Sequence, residues 1–164
     1  MFPKKIKNFN AFLDGTSFVG RVIEGNLPTL ASKNSEYRGG GIEGSVDVDM
    51  GLEKMELGAT MSEWDPSIWN NFGHVRQIVM RAADMGEDNF DARDHVFTVR
   101  GRWNKIEPDA LKPSEDANIK LMCNVIYFKV ELQGTELVEI DVENMVRRIN
   151  GFDQMASMRA ALAR

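Results

Sequence analysis

The chain holds a single cysteine and two histidines among 164 residues. With Cys123 alone no internal disulfide can form, and its neighbours Met122 and Asn124 give the thiol no activating base, so it reads as a small core residue. His74 and His95 stand in unrelated contexts, neither with a ligand-type residue at i+2, i+3 or i+4, and read as structural histidines rather than metal ligands. The strings that mark familiar chemistry are missing as well: there is no G-x-S-x-G elbow, no P-loop lysine and no Cys/His set spaced for zinc. No catalytic residue, cofactor site or metal site is therefore expected. Positive charge is not in excess either. The net charge of -5 argues against a general nucleic-acid binder, which needs basic patches to displace counterions from phosphates. No apolar run approaches the ~20 residues that span a bilayer. Met1-Phe2-Pro3-Lys4-Lys5-Ile6-Lys7 lacks the apolar centre of a signal peptide, so synthesis and folding in the cytoplasm are expected.

What is present is ordinary in bulk and particular in pattern. A content of 43% hydrophobic and 27% charged residues fits one globular domain over residues 1–164, large enough to bury a single core. Gly39 to Gly44 read Gly-Gly-Gly-Ile-Glu-Gly, which satisfies G-x-G-x-x-G through Gly39, Gly41 and Gly44. A dinucleotide turn needs a buried strand before it and a helix after it. Here Lys33-Asn34-Ser35-Glu36-Tyr37-Arg38 precedes and Ser45-Val46-Asp47-Val48-Asp49-Met50 follows, polar on one side and alternating on the other. The glycines thus join two extended segments, as a flexible arm does.

Period-2 alternation dominates the rest. Met55, Leu57, Ala59 and Met61 form one half-buried strand face, and His95, Phe97, Val99, Gly101 and Trp103 another. From Asn118 to Leu132 the apolar phase is odd through Val125 and even from Ile126, which a bulge near Val125 or burial of both faces would produce. Gln133-Gly134 offers a turn into a final strand, Thr135 to Ile149, with Val138, Ile140 and Val142 on one face and Glu139, Asp141 and Glu143 on the other. Near the N-terminus, Asp14-Gly15-Thr16-Ser17 reads as a hairpin turn between Ile6 to Leu13 and Phe18 to Glu24. A short helix is expected with Asp65 as N-cap, Pro66 at its first position, Ile68, Trp69 and Phe72 buried, and Gly73 as its stop. A second, about 153–163, takes Asp153 as its cap, with Met155, Met158 and Leu162 as a stripe against the sheet. Asp84 to Asp94, with five acidic residues, and Glu107 to Asp116 read as loops. Together these make a mainly β (α+β) fold, a curled antiparallel barrel or sandwich of roughly seven to nine strands with a short central helix and a C-terminal helix.

The carboxylates Glu139, Asp141 and Glu143 are the one constellation resembling a site. Calcium generally takes six to eight oxygens from a tight loop, which a single strand face does not supply. A solvated acidic stripe, or one paired with arginines, is the simpler reading, and Arg100, Arg102, Arg147 and Arg148 are the residues to oppose it.

Several stretches, in this order and spacing, resemble the major tail tube proteins of contractile-tailed bacteriophages and of the related R-type tailocins. They are Glu36-Tyr37-Arg38-Gly39-Gly40-Gly41, Val99-Arg100-Gly101-Arg102, Asn124-Val125-Ile126-Tyr127-Phe128-Lys129, and Glu136-Leu137-Val138-Glu139-Ile140-Asp141. The last continues through Asn144-Met145 and Asn150-Gly151-Phe152-Asp153 to Arg159-Ala160-Ala161-Leu162. The likeness runs from about Pro3 to Leu162; Ile42 stands where the family pattern has methionine, and Arg81 to Asp94 matches none of it.

The resemblance implies a structural protein without catalytic activity, six subunits to a ring, and rings stacked into a hollow tube inside a contractile sheath. A similar fold is implied in type VI secretion tubes. It implies as partners other copies of the chain, the tail sheath protein, the baseplate or tail initiator, the tape measure protein, and DNA passing through the lumen without specific binding. Residues about 36–52 match an arm that reaches the adjacent ring, with Tyr37, Arg38, Gly39, Gly40, Gly41, Ile42, Val46 and Val48 as its working residues and the glycines as hinge. Glu139, Asp141, Glu143, Arg100 and Arg102 are the charge candidates for the lumen or a subunit contact. The competing expectations are a soluble β-barrel that encloses a small ligand, and a hydrolase using two carboxylates in one cleft.

Overall fold

Apolar residues at every second position commit a segment to a sheet with one face on a core, and this chain is built from such segments. The computed structural model describes residues 2–164. In chain order its elements are β1 (Lys5–Leu13), β2 (Thr16–Ser17), β3 (Val22–Asn26), β4 (Ser32–Tyr37), β5 (Val46–Leu52), β6 (Met55–Met61), α1 (Pro66–Asn70), β7 (Val75–Met85), β8 (Ala92–Pro108), β9 (Ile119–Leu132), β10 (Thr135–Asp141), β11 (Val146–Ile149), β12 (Phe152–Asp153) and α2 (Ala156–Ala161). The main sheet runs β12-β11-β10-β9-β8-β7-β1-β2, and β6 branches from β9 carrying β3 on its outer edge. The sheet curls but does not close, so the fold is mainly β with open edges rather than a sealed barrel. Val99, Phe128 and Ile140 line one row of its inner face, and Leu57, Ile68, Ile119, Trp103 and Cys123 are among the other residues of the core.

The phase change in β9 marks the point where the sheet divides. Through Val125 one edge of β9 pairs with β6, and from Tyr127 the same edge pairs with β10. On the opposite edge Arg100 faces Tyr127 while Gly101 faces Val125, leaving Ile126 without a partner on β8. Ile126 is therefore a one-residue bulge, and its carbonyl accepts from Val142 N at 3.0 Å. The bulge turns Phe128 inward in place of the next odd residue, as the apolar pattern requires.

Four local expectations change. The N-terminal hairpin is cut short: β2 pairs with β1 over two residues only, the chain turns away at Gly20 (φ +76°), and β3 pairs with β6. Phe18 is buried at that departure and ties the turn to the core. In α1 Asp65 Oδ1 accepts from Ser67 N at 2.8 Å and Pro66 opens the helix. Only Ile68 of its expected buried face is buried, whereas Trp69 and Phe72 stand about half exposed because five residues present too narrow a face to bury all three. The final strand breaks at Asp141, and residues 142–145 turn it back into β11, so Glu143 shares no strand face with Glu139 and Asp141. Lastly, Met155 rather than Asp153 is the N-cap of α2, and Met158 and Leu162 are exposed instead of packing on the sheet.

Candidate functional site

One element stands apart from the main sheet. Among the described residues β4 and β5 pair only with each other, in a register that sets Tyr37 opposite Val46, Glu36 opposite Asp47, and Ser35 opposite Val48. Residues facing one another lie on the same side of a hairpin. One side accordingly carries Tyr37, Val46, Val48 and Met50, all exposed, and the other carries Glu36, Asp47, Asn34 and Asp49. A solvent-exposed hairpin gains nothing by holding four large apolar groups on one side, and two acids directly opposite each other repel. Both features suit a surface completed by something else.

The glycine run is the loop at the tip of this hairpin. Arg38 to Ser45 connect the strands, Ile42 is exposed there, and Gly41 has φ +86°, a conformation that favours glycine. A Cβ on Gly39 would lie 2.7 Å from Tyr37 Oη, so the Tyr37 ring folds over the place a larger residue would fill. The flanks are not a loose linker: they are hydrogen-bonded strands. Nor are the tip glycines placed to swing the arm as a whole. That position belongs to Gly51 at the base, where φ is +114° and β5 has one residue more than β4 between the pairs Asn34–Asp49 and Ser32–Leu52.

At the same base, Asp49 Oδ1 accepts from Gly51 N at 2.8 Å and Asp49 Oδ2 accepts from Arg147 Nη1 at 3.1 Å. The Gly51 amide, followed by the Arg147 charge, holds the Asp49 carboxyl below its ordinary range. Leu52 meets the core there, and a groove of about 120 Å³ lined by Leu52, Ile140, Val142, Met145 and Met155 runs beneath.

The charge candidates are dispersed. Glu139 belongs to a row across four strands, Lys129, Glu139, Arg148 and Asp153, each opposite the next. Arg148 Nη1 reaches Glu139 Oε1 at 3.4 Å and Glu136 Oε1 at 3.5 Å. The row is thus internally compensated, with Asp153 also bound by Arg159 Nη2 at 2.5 Å. Asp141 closes the β10–β11 turn by accepting from Asn144 N and Nδ2 at 3.1 and 2.8 Å. Glu143 is exposed in that turn, where its carbonyl accepts from Arg164. Arg100 lies over the Tyr127 ring at 5.2 Å, and Arg102 is exposed on β8. Of the four arginines expected to oppose the acids, Arg148 does so, while Arg147 serves the arm.

Sequence reasoning missed one buried ionic cluster. Asp84 continues the inward face of Ile78, Met80 and Ala82 on β7, its side chain 5% exposed. Arg93 grips it bidentately at 3.0 and 2.7 Å, and His95 Nε2 lies 2.8 Å away. Arg93, then His95, pushes the Asp84 carboxyl far below the usual range. The density of acids made Asp84 to Asp94 read as a loop, yet the alternation Ile78, Met80, Ala82, Asp84 and the basic residues at 93 and 95 were signals of a paired strand end. Residues 86–91 alone form the loop.

An enclosed ligand chamber is not what the core provides. The void among Phe18, Ile68, Met80 and Trp103 has about 30 Å³, near the share of one water. The large groove of about 370 Å³ beside Asn26, Lys54, Thr60 and Lys120 lies open on the surface. Burial pushes the Cys123 thiol up to about 12, so it stays protonated. Among the described residues no group of three His, Cys, Asp or Glu is arranged to hold a metal ion, and no helix is long and apolar enough to cross a membrane.

Comparison with known proteins bears on a chain of this shape. The sequence model of the family described as phage tail tube protein FII matches residues 3–162. The tail tube protein of Escherichia phage P2 is 34% identical over 167 residues, covering 96% of this chain and 95% of that protein. The major tail tube protein of Serratia phage KSP20 is 30% identical over 160 residues, covering 91% and 89%.

Proposed function

We infer function from one premise, that the chain belongs to the phage tail tube protein FII family: it is a structural subunit of a tail tube, part of the virion tail, and not an enzyme. It self-assembles with other tail components, and we propose the particular manner. Copies close into hexameric rings, and the rings stack into a hollow conduit inside a contractile sheath. Assembly takes place in the host cytoplasm, on a baseplate or tail initiator, with the tape measure protein inside. The chain acts as one tube domain whose arm is the hairpin of β4 and β5 and whose C-terminal helix is α2.

The observation that carries this reading is the hairpin of β4 and β5, a two-stranded sheet with an apolar face and no strand partner among the described residues. On stacking, Tyr37, Ile42, Val46 and Val48 would bury against the adjacent ring, at about 25 cal/mol per Å² of apolar surface removed from water, while Arg38 and Gly39, Gly40 and Gly41 shape the tip. Open sheet edges favour the same reading, since head-to-tail pairing around a ring satisfies them. Glu139, Asp141 and Glu143, with Arg100 and Arg102, are proposed for the lumen wall or the subunit contact. Glu139 is neutralised within its row, which leaves Glu143 as the freest acid. An acidic wall repels phosphates and lets DNA pass without specific binding. Electron microscopy of the purified chain with and without the tip residues 39–44 tests the reading.

A further inference from the structure

The inner face of the sheet contains one row that begins apolar and ends in a charge. Ile78, Val99, Phe128, Ile140 and Arg147 stand opposite one another across β7 to β11. Val99, Phe128 and Ile140 are buried, and an apolar residue would continue them best. Arg147 occupies the last place with its side chain 14% exposed and its Nε buried without a hydrogen-bond partner among the described residues. Leaving a buried donor unpaired is unfavourable, so the guanidinium at this position needs a reason beyond packing. Among the described residues its one side-chain bond is to Asp49 of the arm.

We propose that Arg147 is the positioning residue that sets the angle of the β4–β5 arm against the sheet, with Gly51 as the pivot. At the base Leu52 packs against the core and Glu53 N bonds the Ala31 carbonyl at 2.8 Å, so beyond Leu52 the arm's direction follows the backbone unless a further tie holds it. Gly51, at φ +114° in a bulge, is the softest joint there. Asp49 lies two residues from the pivot and binds both the pivot amide and Arg147, which makes it a bracket across the joint. Arg147 is itself fixed: its strand pairs with β10, and its carbonyl accepts from Gln154 N at 2.8 Å. Arg159 bonds the Met145 carbonyl at 2.8 Å on the preceding turn, so the anchor is stitched to α2 as well. A pre-set arm meets its acceptor without a search over angles, which speeds association through lower ordering cost. That functional consequence rests on the proposed role of the arm in stacking; the angular role of Arg147 does not.

The substitution Asp49→Asn isolates the tie, because the amide oxygen can still accept from Gly51 N while the charge facing Arg147 is gone. Spin labels on cysteines replacing Glu43 at the arm tip and Lys112 on the body report the arm angle in dilute, unassembled protein, with the buried Cys123 unlabelled. The wild-type distance distribution should be narrow, and Asp49→Asn should broaden it about twofold. Arg147→Met should broaden it equally while holding or raising the melting temperature, since it completes the apolar row. Distributions in both variants identical to the wild type would overturn the proposal. Tube growth measured on the same samples separates the two ideas. Growth slowed about fivefold, on the scale of a weakened ion pair, supports both. A broadened arm with unchanged growth keeps the positioning role and refutes the arm's part in stacking.

Discussion

Gly101 is pressed against Asn124: a Cβ on Gly101 would lie 2.3 Å from the Asn124 carbonyl oxygen and 2.6 Å from Cys123 Sγ. Gly101 stands opposite Val125, next to the Ile126 bulge where β9 exchanges β6 for β10. Gly101→Ala should therefore destabilise by about 1–3 kcal/mol or more, because backbone and a buried sulfur must both give way. Denaturant unfolding of unassembled protein measures it. Gly134→Ala is the strain control: no atom lies within 4 Å of its Cβ position, so its cost arises from φ +79° alone.

The helix α1 separates core residues from surface residues within a few positions. Ile68→Ala should cost about 2–5 kcal/mol, the range for emptying a fully buried aliphatic site. Phe72→Ala, at a half-exposed position, should cost under about 1 kcal/mol in the same unfolding measurement.

Acid should weaken the fold through carboxylates bound to arginine. Arg159, then the Met155 amide, pushes the Asp153 carboxyl down to about 2, and Asp84 is held lower still by Arg93 and His95. Both pKa values are depressed on folding, so the unfolded chain binds more protons and stability must fall as pH drops. The contribution is complete above the unfolded value of about 4. For Asp153 it is lost between about 4 and about 2, and for Asp84 the loss continues further down. Thermal melts from pH 6 downward should show the wild type losing stability below about pH 4, whereas Asp84→Asn and Asp153→Asn start lower at neutral pH and fall less steeply on acidification.

Much of this architecture could be read from residue order. Strict alternation located β6, β8 and β9, and the phase shift at Val125 and Ile126 located the bulge, since a one-residue slip reverses which face is buried. The glycine run was legible as a junction between extended segments because its flanks lack a helix. What alternation leaves open is which strand pairs with which, and whether an element packs inside its own chain. The alternation of Val138 to Glu143 runs past Asp141 into the β10–β11 turn, so it did not reveal that Asp141 closes a turn with Asn144 and moves Glu143 off the sheet. Met158 and Leu162 have the spacing of a buried stripe, yet they are exposed on the lone subunit; spacing records an apolar face, not who covers it. Arg147 shows the same limit from the other side, since nothing near it in sequence points to Asp49.

The apolar side of the arm should matter to assembly and not to folding. Val46→Asp with Val48→Asp replaces two exposed groups, so the melting temperature of dilute protein should stay within about 0.5 kcal/mol equivalent of wild type, while sedimentation at high concentration should lose the polymer fraction.

The most direct measurement is negative-stain electron microscopy of the purified chain beside a variant lacking residues 39–44, each first shown to be folded by circular dichroism. Long hollow tubes from the wild type, with rings or single subunits but no tubes from the deletion, are the predicted result. Normal tubes from the deletion would contradict the role of the arm, and a wild-type chain that stays monomeric at all concentrations would contradict the tube itself.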